Sequence, residues 1–341
     1  MGATNTDAHR PMRVPLLGRP RIPLPLATEN DCVGTVAYNG VRWINIERPT
    51  AKTITYLRGN FPFHELNLDD VLDNLQRPKL DVDDEYLYLA VQFPVHNKVA
   101  RTTTASEVDI FIGRDYVITL HDGRIKPLSR LFDEMERSPE LTERVLRQGS
   151  ERLLYNILDH LIDYCVPITR RITQKIEEID EMIFAPDAGR TIEEIAAVRR
   201  DIIATRRIVK PQVQIINVLE RRVRTFFHQA DEEEIEAYYG DLVDGIGKIA
   251  DILDDAKEVI DSLSATTDSL TTHRLNQVIK LLTVLSVILL PLNLISSIYG
   301  MNVHLPGAGD GTNPLPFWVL IGTMVVVVLA MASFFRWRRW L

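Results

Sequence analysis

The chain has little cysteine, no long apolar run near its start and, between residues 281 and 335, almost no charge. Two cysteines in 341 residues, Cys32 and Cys165, exclude a disulfide scaffold and suit a reducing compartment. The opening stretch MGATNTDAHRPMRVPLLGRPRIPLPL is proline-rich and broken by arginine. It offers no secretory signal, so the residues ahead of the first apolar run are expected to stay in the cytoplasm. His-Glu-x-x-His, Cys-x-x-Cys and nucleophile-elbow patterns are missing, and GIGK at 245–248 and GAGDG at 307–311 are only fragments of phosphate loops. An enzyme is therefore not expected, and a net charge of −8 gives no reason to expect a nucleic-acid partner.

The missing charge is the most informative absence. Residues 281–299 and 317–335 each supply 19 uncharged residues, enough to cross a hydrocarbon core. Two such runs at the C-terminal end argue for membrane spans rather than core helices. The chain ends RWRRWL, setting Arg336, Arg338 and Arg339 beside Trp337 and Trp340, an interfacial anchor with a positive-inside signal. Residues 302–316 contain no Lys or Arg. The expectation is a multi-pass protein of the plasma (inner) membrane, bathed by lipid, with both termini cytoplasmic and a short outer loop at 304–316.

What is present divides the remainder. Residues 1–30 read as a flexible tail. Residues 31–126 hold β-rich runs (CVGTVAYNGVRWINIE, EYLYLAVQFPV, EVDIFIGRDYVITLH) with turn signals at Asn39-Gly40 and Asp122-Gly123, interleaved with helical pieces near 50–58 and 68–74. Residues 127–230 turn to helical period. Leu153, Leu154, Ile157, Leu158, Leu161, Ile168, Ile172, Ile176, Ile179 and Ile183 make one stripe. Pro186 and Gly189 break it, and a second helix at 191–228 carries Pro211 as a candidate kink. A third helix, 231–303, runs into the first span. If continuous from 232 to 299 it measures roughly 100 Å, with Gly240, Gly245 and Gly247 weakening its upper part. The fold class is thus an α+β domain, a long helical stalk and two C-terminal transmembrane helices (317–335 the second, 336–341 a basic tail). Such a stalk needs partners, from its own hairpin or from symmetric copies.

Between 231 and 261 the stalk carries twelve acids against Lys248 and Lys257, a balance of −10. One reading is a solvated helix face. The other is carboxylates that face one another between subunits and repel until a divalent cation bridges them, with Asp241, Asp244, Asp251 and Asp255 as a regulatory metal site of the oxygen ligands that Mg²⁺ prefers. Further along, steps of three and four select Asn276, Ile279, Thr283, Ser286, Leu290, Asn293, Ser297 and Gly300, a seven-residue spacing suited to helices around one axis. Small polar residues also serve as packing contacts between membrane helices. Asn293 in mid-span favours a water-lined axis. A neutral lining suits an ion that keeps its water, as Mg²⁺ does, and Leu282 or Leu290 would be the apolar constriction.

The first span closes on Tyr299, Gly300, Met301 and Asn302, followed by a short loop, a second span and the basic tail. In the N-terminal half, FHELNLDDVLDNLQRPKLDVDDEYLYL supplies His64, Leu66, Asp70, Gln76, Arg77, Pro78, Lys79 and Tyr86 in a His-x-Leu…Asp…Gln-Arg-Pro-Lys…Tyr pattern. Together these resemble the CorA family of divalent-cation channels, from about residue 33 to the end. The resemblance implies a CorA-like cytosolic α/β funnel domain, a pore-lining stalk and a homopentamer. It implies that Gly300, Met301 and Asn302 form the selectivity filter for hydrated Mg²⁺, with Co²⁺ and Ni²⁺ as further cargo and cytosolic Mg²⁺ as the gating ligand. Two stretches depart from the family. The loop HLPGAGDGTNPLP has Asp310 as its one acid and His304 near the mouth, and is similar to the ZntB branch, which implies the alternative of Zn²⁺ cargo with proton coupling. FPVHNKVARTTT places His96, Asn97 and Lys98 where regulated members carry acids, although Asp241 matches the stalk-side partner.

Overall fold

The structure, a computed structural model, describes residues 32–72, 77–97, 99–184, 188–227, 232–301 and 315–338. The tail expected at 1–30 and Gln76, Lys98, Pro186, Asn302, His304, Asp310, Arg339 and Trp340 lie outside them.

Strands β1 (Cys32–Tyr38) and β2 (Val41–Glu47) pair as a hairpin. Asn39 and Gly40 take φ of 48° and 87°, the left-handed pair that a two-residue type I′ turn requires. Four more strands follow: β3 (Lys79–Val82), β4 (Leu87–Asn97), β5 (Thr102–Ile112) and β6 (Tyr116–His121). They complete a mixed sheet of order β1-β2-β6-β5-β4-β3, in which only β2 and β6 run parallel.

Strand alternation gives the sheet two apolar faces. Ile44, Ile46, Tyr88, Phe111, Ile118 and Leu120 bury one face against α1 (Ala51–Asn60) and α2 (Glu65–Asp70). The other packs on α3 (Lys126–Arg137) and α5 (Ser150–Asp163), where Trp43 meets Phe132 edge-on at 5.0 Å. Between those two helices lies α4 (Pro139–Leu146).

Local chemistry sets the helix ends. Thr50 and Thr53 form a reciprocal capping box at the start of α1. The second helical piece, expected near 68–74, begins earlier because the His64 ring accepts the Leu66 N–H at 3.2 Å and caps α2. The single stripe read from 153 to 183 is divided into α5 and α6 (Cys165–Met182). Pro167 has no N–H to donate toward Asp163, so the helical ladder loses a bond at the junction. By contrast α7 (Ala188–Phe226) passes through Pro211 unbroken.

The stalk helix α8 (Glu232–Tyr299) is continuous over 68 residues. Glu232, Glu233 and Glu234 in its first turn oppose the positive end of the helix dipole. The helix passes through Gly245, where a Cβ would stand 3.3 Å from the Ile162 side chain. The glycine admits α5 at close range. Helix α9 (Leu315–Trp337) is the last element. By contacts the chain divides into two units, Met1–Glu177 with Ala197–Glu258, and Glu178–Ala196 with Val259–Leu341.

Candidate functional site

Two of the described helices are long and apolar enough to cross a membrane. The most apolar window of α8 is 6% buried and that of α9 is 0% buried, so neither is a core helix of its own chain. Within the apolar part of α8, Val284, Ile288, Pro291, Leu292 and Ile295 are the less exposed positions. At 100° per residue they share one face. The residues selected from the sequence, Asn276, Ile279, Leu282, Thr283, Ser286, Leu290, Asn293, Ser297 and Gly300, are all exposed and centre on the opposite face.

The polar groups of that exposed face differ. The Thr283 hydroxyl donates to the Ile279 carbonyl at 2.8 Å and that of Ser286 to the Leu282 carbonyl at 2.9 Å. Both are satisfied by their own helix. The amides of Asn276 and Asn293 have no hydrogen-bond partner among the described residues. Gly300 ends the helix by donating its N–H to the Ser296 carbonyl at 2.9 Å, and Met301 donates to the Ile298 carbonyl at 3.3 Å. A Cβ at Gly300 would lie 3.2 Å from the Ser296 carbonyl oxygen, a tight fit that glycine avoids. Asn302, the third expected filter residue, is outside the described residues.

The acidic part of α8 divides in the same way. Leu242, Ile246, Ile249, Leu253, Ala256 and Ile260 are buried, whereas Asp241, Asp244, Asp251 and Asp255 are exposed and turn away from that face. Asp241 accepts from the Tyr155 hydroxyl at 3.3 Å. Burial, with the neighbouring Asp163 and Asp241 carboxylates, holds Asp159 above the usual carboxylate range. Asp244, Asp251 and Asp255 have no cationic partner among the described residues.

Asp254 behaves otherwise. It pairs with Arg206 and, at 2.6 Å, with Lys210, and these bonds hold its carboxyl below the ordinary range. Glu236 pairs with Arg224 at 3.0 Å. Asp254 and Glu236, both among the twelve acids counted from the sequence, are thus neutralised by α7 of the same chain. Among the described residues, no group of three or more His, Cys, Asp or Glu side chains is placed to hold a metal ion.

The N-terminal motif is a hydrogen-bonded scaffold. The Tyr86 hydroxyl accepts the His64 N–H at 2.9 Å and the Asn67 amide at 3.1 Å. Lys79 bridges Asp70 at 2.5 Å and Asp81 at 3.0 Å. His96 is committed as well: its Nδ1 lies 3.1 Å from the Thr103 hydroxyl and 3.6 Å from Asp201. Asp201 is held in turn by Arg171 at 3.1 Å. The ring is an internal strut. These partners, up to 105 positions away from His96 in sequence, leave no local signal in the sequence.

Comparison with known proteins supplies the family. The model described as "CorA-like Mg2+ transporter protein" matches residues 38–339. The chain belongs to the CorA family. The putative metal ion transporter YfjQ of Bacillus subtilis is 26% identical over 298 residues, 87% of this chain and 89% of the relative. The cobalt/magnesium transport protein CorA of Thermotoga maritima is 23% identical over 301 residues, 88% of this chain and 83% of the relative. The zinc transport protein ZntB of Yersinia pseudotuberculosis, 18% identical with 88% of each chain covered, is also a relative. In structure, the complete CorA magnesium transporter of Methanocaldococcus jannaschii superposes with a TM-score of 0.74 at 23% identity, covering 88% of this chain and 92% of that one. The CorA fold, a mixed sheet with long helices and two apolar C-terminal helices, is the fold of this chain.

Proposed function

We propose that this CorA-family protein is a divalent-cation channel of the plasma membrane, passing hydrated Mg²⁺, and also Co²⁺ and Ni²⁺, into the cell. Copies of the chain, five by the family resemblance, surround an axis lined by Asn276, Ile279, Leu282, Thr283, Ser286, Leu290, Asn293 and Ser297, with Gly300, Met301 and Asn302 as the filter at its outer end. Both termini are cytoplasmic, lipid surrounds the two spans, and no chemical step is catalysed.

The observation that carries this reading is the exposed, uncharged face of α8, with the Asn293 amide unpartnered among the described residues in an apolar segment. An unsatisfied amide in hydrocarbon costs several kcal/mol, and a wet axis shared by copies removes that cost. Neutral oxygens hold a hydrated ion without stripping it, and the membrane potential moves a double charge with about 4.6 kcal/mol per 100 mV.

Gating follows from the exposed acids. A cation held by Asp241, Asp244, Asp251 or Asp255 would draw further ligands from a second copy, pulling the stalks together and closing the Leu282 or Leu290 constriction. Loss of internal Mg²⁺ lets the acids repel. Replacing all four by Asn is expected to abolish inhibition of flux by internal Mg²⁺; inhibition that survives intact would contradict this mechanism.

The test of cargo is paired Mg²⁺ and Zn²⁺ influx into proteoliposomes with an inside-negative potential, for the native chain and Asn302→Ala. Mg²⁺ flux that follows the potential and collapses in the variant is expected. Zn²⁺ flux that requires a pH gradient, with little Mg²⁺ movement, would instead place the chain with its zinc-transporting relative.

A further inference from the structure

Between α7 and the sheet lies a groove of about 930 Å³ that the pore reading does not use. One wall is a face of α7 in steps of three and four: Arg200, Ile203, Ala204, Arg207, Ile208 and Pro211. The opposite wall is Gln92 of β4 and Thr103 and Ala105 of β5, which share a sheet face, with Arg77 and Pro78 ahead of β3.

The charge of this groove is unbalanced. Arg77, Arg200 and Arg207 are exposed, and none has a carboxylate partner among the described residues. No Asp or Glu is among the lining residues. The contrast with adjacent positions is local: Arg171 is paired with Asp201 and Arg206 with Asp254. Three guanidinium groups around one cavity, with no carboxylate paired to them among the described residues, favour an anion that joins them. Guanidinium forks match phosphate oxygens in bidentate geometry.

The rest of the lining is not what a bare phosphate needs. Ile203, 47% exposed, lies with Ile208, Pro211 and Ile215 along the groove, an apolar strip. Gln92 and Gln214 also line the groove, the Gln92 amide donating to Glu107 at 3.5 Å. Pockets for small organic ligands run from about 300 to 1,000 Å³, mostly apolar with a few polar groups that fix orientation.

We propose that this groove binds a nucleoside di- or triphosphate, its phosphates against Arg77, Arg200 and Arg207 and its base on the strip from Ile203 to Ile215. A nucleotide bound here would bridge the sheet and α7, the helix whose Arg206 and Lys210 hold Asp254 of the stalk. The site would thereby join nucleotide level to the element that carries the exposed acids.

The test is calorimetric titration of the full-length protein in detergent with ATP, ADP, tripolyphosphate and inorganic phosphate. EDTA is present throughout, so that chelation of Mg²⁺ by the nucleotide is not read as binding. ATP or ADP is expected to bind at least about tenfold tighter than tripolyphosphate. R200Q/R207Q should weaken nucleotide binding at least about tenfold, the scale of losing hydrogen bonds to a charged partner. Ile203→Ser should weaken ATP and leave tripolyphosphate unchanged. Unaltered Mg²⁺ flux in nucleotide-free proteoliposomes certifies that these variants fold, and Arg77→Gln provides the same reading should the double variant be unstable. Absence of nucleotide binding, binding indifferent to the arginine changes, or tripolyphosphate binding as tightly as ATP would each overturn the assignment.

Discussion

The buried polar centre of the sheet and the polar face of the first span use similar side chains in different ways. In the sheet, the Thr119 hydroxyl accepts from the Trp43 indole at 3.0 Å and donates to the Asn45 side-chain oxygen Oδ1 at 2.7 Å. The His121 Nδ1 accepts the Gly123 N–H at 3.1 Å, leaving Nε2 to donate to Asn45 at 3.1 Å. Burial lowers the pKa of His121, so the ring stays neutral and this pattern holds. Every group in that chain of bonds finds its partner within one copy. In α8, Thr283 and Ser286 close on their own backbone, while the Asn276 and Asn293 amides have nothing among the described residues to bond. The sheet is finished as a single chain. In the proposed pore, the span would be finished by other copies and by water.

Substitutions in the sheet should therefore register as stability, and substitutions on the span as flux. The largest effect expected is from Thr119→Val, which strands the Trp43 N–H and an Asn45 lone pair in the interior. A loss of about 2–4 kcal/mol follows from two unsatisfied groups, read by denaturant unfolding of the detergent-solubilised protein. An unchanged midpoint would break the comparison on the sheet side.

A second sheet substitution should act in the opposite direction. Burial raises the Asp109 carboxyl from 3.8 to about 7, even though the Tyr88 hydroxyl donates to it at 2.7 Å. The folded chain holds this proton more tightly than the unfolded chain does. Its contribution to stability is fully present below pH 4 and is lost as the pH rises to 7. Asp109→Asn should leave stability at pH 4 nearly unchanged and raise it at pH 8 by about 1–3 kcal/mol, measured as the pH dependence of the unfolding midpoint. An equal midpoint shift at both pH values would show that Asp109 does not titrate as described.

On the span, Asn293→Leu should cut Mg²⁺ flux at least about tenfold by replacing a water-binding amide with an apolar wall. Unfolding should change little. Ser286→Ala is the smallest effect expected, within about 0.5 kcal/mol of native stability and with flux nearly intact, because the hydroxyl already spends its proton on Leu282. Flux lost equally in both variants would mean that polarity along this face has no graded role.

Much of this arrangement is legible before any coordinates. Asn39-Gly40 announces its hairpin because few other residues tolerate two successive left-handed φ values. The heptad from Asn276 to Gly300 is visible because neutral polar side chains stand out against leucine and valine. Strand β3 escapes because Lys79–Val82 is four residues long and none of its residues is buried. Gly240, Gly245 and Gly247 suggest a weakened helix, yet Gly245 serves close packing against Ile162, a contact 83 residues away in sequence. The acid count overstates the free charge of the stalk because the partners of Asp254 lie on α7, 44 and 48 residues earlier. Pairings of that kind come from tertiary geometry and leave no local pattern. The resemblance to CorA, read from Tyr299–Asn302 and from residues 63–89, is upheld by the family match.

In the proposed channel, the face of α8 bearing Asn293 lines the ion path. Thiol modification tests it most directly. Cys165 is fully buried, with its thiol pushed up to about 12 by burial, so only Cys32 needs replacement to give a silent background. Single cysteines at Asn293, Ser297, Ile288 and Ile295 are then exposed to a small charged thiosulfonate during Mg²⁺ flux into proteoliposomes. Block is expected at Asn293→Cys and Ser297→Cys, with Ile288→Cys and Ile295→Cys unaffected. Block at Ile288→Cys and Ile295→Cys, with the Asn293 and Ser297 positions silent, would contradict it.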